Sequence, residues 1–170
     1  MAANRLSYFF DLHGPSMVLD TACSSTMVAL HQAVLSIRAG ESDMALVCGA
    51  NLVINPDMFI HMSELGFLSP NGRCSSFDAA GDGYARGEGV LALLVKPLDK
   101  AIRDGDPIRS IIRGTRINQD GLTSGITMPS ASSQKKNMEA LYEDCKISPS
   151  EVQYIEAHVS NLPHLQDHHY

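Results

Sequence analysis

The apolar positions along the chain change their period several times, and each change marks a new element. Residues 16–20 form a short apolar stretch closed by Asp20, which predicts a strand ending in a sharp turn. Residues 24–38 then place Met27, Val28, Leu30, Val34, Leu35 and Ile37 at helical spacing, and Gly40 follows the last basic residue, Arg38, where a helix stops. Residues 44–48 and 90–95 are continuous apolar runs of strand length, the pattern of buried strands. The second run leads through Pro97 into a predicted helix over residues 98–103. Asp104-Gly105-Asp106-Pro107 forces a turn there, and residues 108–117 resume as strand. Met138, Leu141 and Tyr142 mark one stripe of a helix within residues 130–145, and residues 152–157 return to strand character just before His158. This alternation predicts an α/β fold, a mixed sheet covered by helices, with functional residues at the ends of strands.

Composition fits that picture. A chain of 170 residues is long enough for one domain with a real core. Hydrophobic residues are 44% and charged residues 19%, a globular balance, and with no Trp and 6% aromatics the interior has to be aliphatic. The net charge of -6 is spread along the chain and no Lys/Arg block offers phosphates a continuous surface, which argues against a nucleic-acid partner. No apolar run approaches the roughly 20 residues of a membrane helix. The first residues carry no signal-peptide pattern, so a cytoplasmic location is the expectation. Cys23, Cys48, Cys74 and Cys145 show no C-x-x-C spacing, which suggests neither a zinc site nor a disulfide scaffold. The glycine-rich stretch 77–89 lacks the pattern of a phosphate-binding loop.

The sharpest local feature is Asp20-Thr21-Ala22-Cys23-Ser24-Ser25. Small residues permit a tight turn that pushes the sulfur outward, while the free N–H groups and dipole of the following helix favour the thiolate. The same N–H groups can stabilise an oxyanion. A catalytic Cys23 stands here against a buried structural cysteine. Cys48, inside an apolar strand, reads as core, and Cys74 and Cys145 have no activating neighbours. His158, at a strand end, is a candidate for a shared pocket against the plainer reading of a structural or solvated histidine. His13, His31 and His61 take the plain reading, and the tail histidines His164, His168 and His169 read as solvated rather than as metal ligands.

The run VLDTACSSTMVALHQAV resembles the nucleophile segment of β-ketoacyl synthases, and it is most similar to the ketosynthase domains of type I polyketide synthases. ANRLSYFFDLHGPS before it, and LSPNGRCSSFDAAGDGYARGEG, INQDGLTSGITMPS and VQYIEAH after it, resemble successive ketosynthase segments in their usual order. The likeness covers residues 3–158, and its wording is similar to the fungal iterative reducing type.

The resemblance implies a fragment of a thiolase-like layered α/β/α/β/α fold. Cys23 matches the cysteine that takes an acyl chain from the phosphopantetheine arm of an acyl carrier protein, and His158 matches the first of two histidines that stabilise the enolate of a malonyl unit losing carbon dioxide. The implied reaction is a decarboxylative Claisen condensation in secondary-metabolite or fatty-acid synthesis. The domain itself would bind no cofactor, its partner would be an acyl carrier protein bearing acyl and malonyl thioesters, and the parent enzyme would be a homodimer. Asp78, Arg86 and Glu88 match loop residues for which a salt-bridged scaffold is the better reading. The loop at Thr127 and Pro129 reads equally as an entrance lining or as plain turn.

Two departures stand beside the matches. The family carries a long segment before the equivalent of Ala3, and after His158 it continues Gly-Thr-Gly-Thr where this chain reads Val159-Ser160-Asn161-Leu162-Pro163-His164. The expectation is therefore a partial ketosynthase domain over 1–158 and a divergent tail over 159–170. In that tail His164 stands for the second histidine only if an internal deletion joined two segments. The isolated chain is expected to be inactive. The alternative is a non-catalytic truncated product or interaction fragment. A thiolase or cysteine hydrolase is not matched downstream of Cys23.

Overall fold

A computed structural model describes residues 1–158. Its elements in chain order are α1 (Ala2–Phe9), α2 (Ser25–Arg38), β1 (Ala45–Asn51), α3 (Asp57–Glu64), β2 (Gly89–Val95), α4 (Leu98–Asp104) and α5 (Ala131–Cys145), with a single 3-10 turn at Pro149–Glu151. The strands β1 and β2 pair into a two-stranded sheet. The chain divides into two units, one of Met1–Gly49 with Leu91–Val152 and one of Ala50–Val90 with the chain from Gln153.

The core of the first unit is where α2 lies on β1. Leu30 and Val34, one helical turn apart, pack against Val47, with Ala29, Ala33 and Val95 partly buried around them. Gly49 lets the strand approach the helix closely: a Cβ there would overlap Thr26 Oγ1 in the first turn of α2. Arg38 ends the helix and Gly40 turns the chain at φ +76°, as the sequence pattern predicts. In α4 the C-cap is the left-handed Gly105, and Lys96 joins Asp104 at 2.6 Å and Asp106 at 2.5 Å across the turn. Ser130 caps α5 by accepting the Ser133 N–H at 3.2 Å.

Several expected strands are absent among the described residues. Residues 16–20, 108–117 and 152–157 carry apolar side chains but have no ladder partner, and a strand exists only when a neighbour takes its backbone groups. The 108–117 segment is instead tied down by side chains. Thr115 Oγ1 meets His31 Nδ1 at 2.8 Å, Arg38 Nη2 donates to Arg113 O at 3.3 Å, and Arg116 pairs with Asp144 at 2.5 Å. The two strands that form are not the fully buried ones anticipated. On β1 only Val47 is buried and Cys48 is exposed, which corrects its reading as core, because α2 covers one face and alternate side chains point away from it. On β2 every residue but Val95 is exposed. The helices α1 and α3 were not anticipated.

The second unit is organised around Tyr84. Its N–H donates to Phe67 O and its carbonyl accepts the Ser69 N–H, both at 3.0 Å. Its hydroxyl donates to Met62 Sδ of α3 at 3.5 Å. Gly83, at φ +143°, fits beneath this crossing where a Cβ would overlap Ser69 N. Ser69 is the buried polar residue of the described chain.

Candidate active site

Cys23 sits at a corner built from its neighbours. Ala22, just before it, holds φ +55°, a left-handed conformation that an L-residue adopts only when its surroundings fix it. Its neighbours on both sides supply that restraint. Asp20 Oδ1 accepts the Ala22 N–H at 3.1 Å, Ser25 Oγ accepts the Thr21 N–H at 2.8 Å, and Ser25 Oγ–H donates to Ala22 O at 2.6 Å. Ser24 Oγ–H donates to Thr21 O at 2.9 Å and meets Thr21 Oγ1 at 2.8 Å. The sequence signal for this web was the Asp two residues before the turn and the run of small hydroxyl residues around the cysteine.

The chain then enters α2 with Ser24 at the N-cap, and no side chain caps the first-turn amides. The Ser25 N–H is used by Ala22 O at 3.1 Å and the Val28 N–H by Ser24 O at 3.0 Å. The N–H groups of Thr26 and Met27 have no partner among the described residues, and they stand at the positive end of the helix dipole, three and four residues along the chain from Cys23. Cys23 is exposed, not buried as a structural thiol.

His158, the other expected site residue, is the last described residue, exposed and in no regular element. It belongs to the second unit and Cys23 to the first. His164 lies outside the described residues. Asp78, Arg86 and Glu88 do not form the expected salt-bridged scaffold. Asp78 Oδ1 accepts the Ala80 N–H at 2.9 Å, a Glu88 oxygen accepts the Val53 N–H, and Arg86 takes part in no ion pair among the described residues. Backbone amides take both carboxylates, that of Asp78 within its own tight turn and that of Glu88 from a segment 35 residues earlier. At the other loop the Met128 N–H donates to Gly125 O at 2.9 Å, with Thr127 inside the turn. No group of three His, Cys, Asp or Glu side chains among the described residues could hold a metal. No helix there is long and apolar enough to cross a membrane.

Residues 1–101 match the family described as beta-ketoacyl synthase, N-terminal domain. The chain belongs to the β-ketoacyl synthase family. Residues 109–164 match the family's C-terminal domain, so the likeness runs six residues past His158. The chain is 56% identical over 158 residues to a lovastatin diketide synthase of Aspergillus terreus, covering 93% of this chain. It is 54% identical to a partially reducing polyketide synthase of Talaromyces stipitatus and 54% identical to a highly reducing polyketide synthase of Aspergillus calidoustus. It spans about 6% of the length of each of these relatives.

The fold is that of a ketosynthase, a thiolase-like architecture. The ketosynthase from module 6 of the bacillaene synthase of Bacillus subtilis superposes with a TM-score of 0.93 at 44% identity, over 96% of this chain and 30% of that one. An oxazolomycin ketosynthase domain of Streptomyces albus superposes with a TM-score of 0.89 at 40% identity, over 92% and 28%. The family assignment and the α/β class expected from the sequence therefore hold.

Proposed function

We propose that this β-ketoacyl synthase chain carries the acyl-accepting half of a carbon–carbon condensation, with Cys23 as the nucleophile. The observation that carries the reading is the corner at Ala22, which leaves Cys23 exposed just before α2, a helix whose Thr26 and Met27 N–H groups have no partner among the described residues. Cys23 thiolate attacks the carbonyl of an acyl thioester on the phosphopantetheine arm of an acyl carrier protein. The carbonyl oxygen takes up negative charge against backbone N–H groups, the arm leaves as a thiolate and is protonated, and the acyl chain stays on Cys23. A malonyl thioester on the same kind of arm then loses carbon dioxide, and the electron pair of the broken bond passes to its α-carbon and carbonyl oxygen. His158 donates a hydrogen bond to that oxygen. The α-carbon attacks the Cys23 thioester, a new carbon–carbon bond forms, and Cys23 departs as thiolate, leaving a β-ketoacyl chain on the carrier.

In the isolated chain this reaction is expected not to run. Four hydrophobic side chains are buried among the described residues, too few to hold two catalytic groups in register. Cys23 and His158 are exposed to water, which competes for every hydrogen bond the reaction needs. Two experiments test the reading. Incubated with an acyl-carrier thioester and examined by intact mass, the isolated chain is expected to label Cys23 no more than Cys48, Cys74 or Cys145. When residues 1–158 replace the matching segment of a full-length relative, acylation is expected at Cys23. There Cys23→Ala abolishes it, whereas His158→Ala keeps acylation and loses condensation by about 100-fold or more. Acylation that survives Cys23→Ala in the chimera would falsify the assignment.

A further inference from the structure

A cleft of about 580 Å³ in the second unit, between α3 and the 68–86 segment, has the size of a small-molecule site. Its walls are apolar at Phe59, Leu68, Pro70 and Tyr84, and Arg86 is the charged group among them. Arg86 Nε is shielded from solvent and has no hydrogen-bond partner. The carboxylates nearest in sequence are engaged: Asp82 accepts from Asn71 Nδ2 at 3.2 Å, Glu88 from the Val53 N–H, and Asp78 from the Ala80 N–H. Ser69, also in the wall, accepts the Asn71 N–H at 3.2 Å on its Oγ, which leaves its hydroxyl proton to donate. A half-buried guanidinium whose Nε is shielded and without an acceptor, in a cleft with apolar walls, is a fork of donors matched to a planar or tetrahedral oxyanion.

We propose that this cleft binds a small amphipathic oxyanion, a carboxylate or phosphate ester bearing an apolar tail, with Arg86 as its anchor. The tail lies along Phe59, Leu68 and Tyr84, and the charged head receives hydrogen bonds from Arg86 and Ser69. The proposal does not depend on the reaction assigned to Cys23.

Calorimetric titration of the 170-residue chain with four probes tests it: phenyl phosphate, 3-phenylpropionate, inorganic phosphate and the neutral 3-phenylpropanol. At least one amphipathic anion is expected to bind ten times or more tighter than inorganic phosphate and the alcohol. Phenyl phosphate alone assigns a phosphate ester, and 3-phenylpropionate alone a carboxylate. Arg86→Gln is expected to weaken that binding tenfold or more, while Arg73→Gln, in a neighbouring polar cleft, leaves it unchanged. Equal binding of the alcohol, undiminished binding by Arg86→Gln, or no binding at all overturns the proposal. Should Arg86→Gln fail to fold, phenylglyoxal modification of the unaltered chain decides, mapped by peptide mass. The tighter anion is expected to protect Arg86 and leave Arg73 and Arg113 reactive, and uniform or absent protection overturns the assignment.

Discussion

At the scale of single residues, the corner before α2 stores strain and restrains it in the same few atoms. An L-residue in the left-handed region gives up about 1–2 kcal/mol relative to its preferred backbone. Ala22 stays there because Asp20 and Ser25 occupy the backbone groups on both sides of it. Ser25 is central, since one hydroxyl both accepts from Thr21 and donates to Ala22. Ser25→Ala is expected to speed hydrogen exchange of the Thr21 amide about fivefold, the effect of roughly 1 kcal/mol of lost hydrogen bonding. Unchanged exchange would mean that the web merely decorates the turn. Conversely, Ala22→Gly removes the Cβ penalty and is expected to raise stability by at most about 1 kcal/mol once glycine's greater unfolded-state freedom is subtracted, seen as a higher urea midpoint.

At the scale of elements, contact between α2 and β1 aligns the Cys23 corner. Gly49→Ala drives a methyl group into Thr26 and is expected to cost about 1–3 kcal/mol, seen as a lower thermal midpoint, with Thr26→Ala in the same chain restoring part of it. The α4 turn adds a pH dependence. Hydrogen bonds from Arg103 and then Lys96 hold the Asp104 carboxyl down to about 2, below its ordinary 3.8. Its stabilising effect is therefore complete above about pH 4 and lost as pH falls toward 2. Lys96, raised above its ordinary 10.5 by Asp104 and Asp106, contributes below that value and loses its effect as pH rises through the folded-state value. Lys96→Met is expected to flatten the acid limb of a pH-stability profile; an unchanged limb assigns the acid sensitivity to other carboxylates.

Which elements the sequence disclosed follows from the same physics. α2, α4 and α5 were legible because caps, terminal glycines and i,i+4 spacing are local signals. Residues 108–117 and 152–157 have strand composition, but pairing is decided by distant backbone, and His31, Arg38 and Asp144 hold the first of these segments by side chains that no periodicity announces. The Cys23 corner was visible as a run of small residues, whereas the left-handed Ala22 was not, because alanine carries no preference for that conformation. Arg86 appeared as a partner for Asp78 or Glu88 until geometry gave both carboxylates to backbone amides.

At the scale of the whole molecule, many large apolar side chains among the described residues are exposed. Val90 is 73% exposed and Leu94 68% on β2, while among the described hydrophobics Leu30, Val34, Val47 and Ala101 are the buried ones. Open strand edges and aliphatic patches of this kind associate with whatever apolar surface is offered. The isolated chain is expected to bind a dye such as ANS strongly and to sediment as associated species, and Val90→Lys with Leu94→Lys should lower both. A monomer that binds no dye would mean these residues are covered in solution.

The openness of Cys48 has a bearing on how the thiol chemistry can be read. Cys23, Cys48 and Cys74 are all reachable by solvent in one polypeptide. Cys74 Sγ accepts the Ala85 N–H at 3.3 Å, so it is Cys48 that serves as the built-in ruler, and a preference for position 23 over position 48 gauges the electronic effect of its corner.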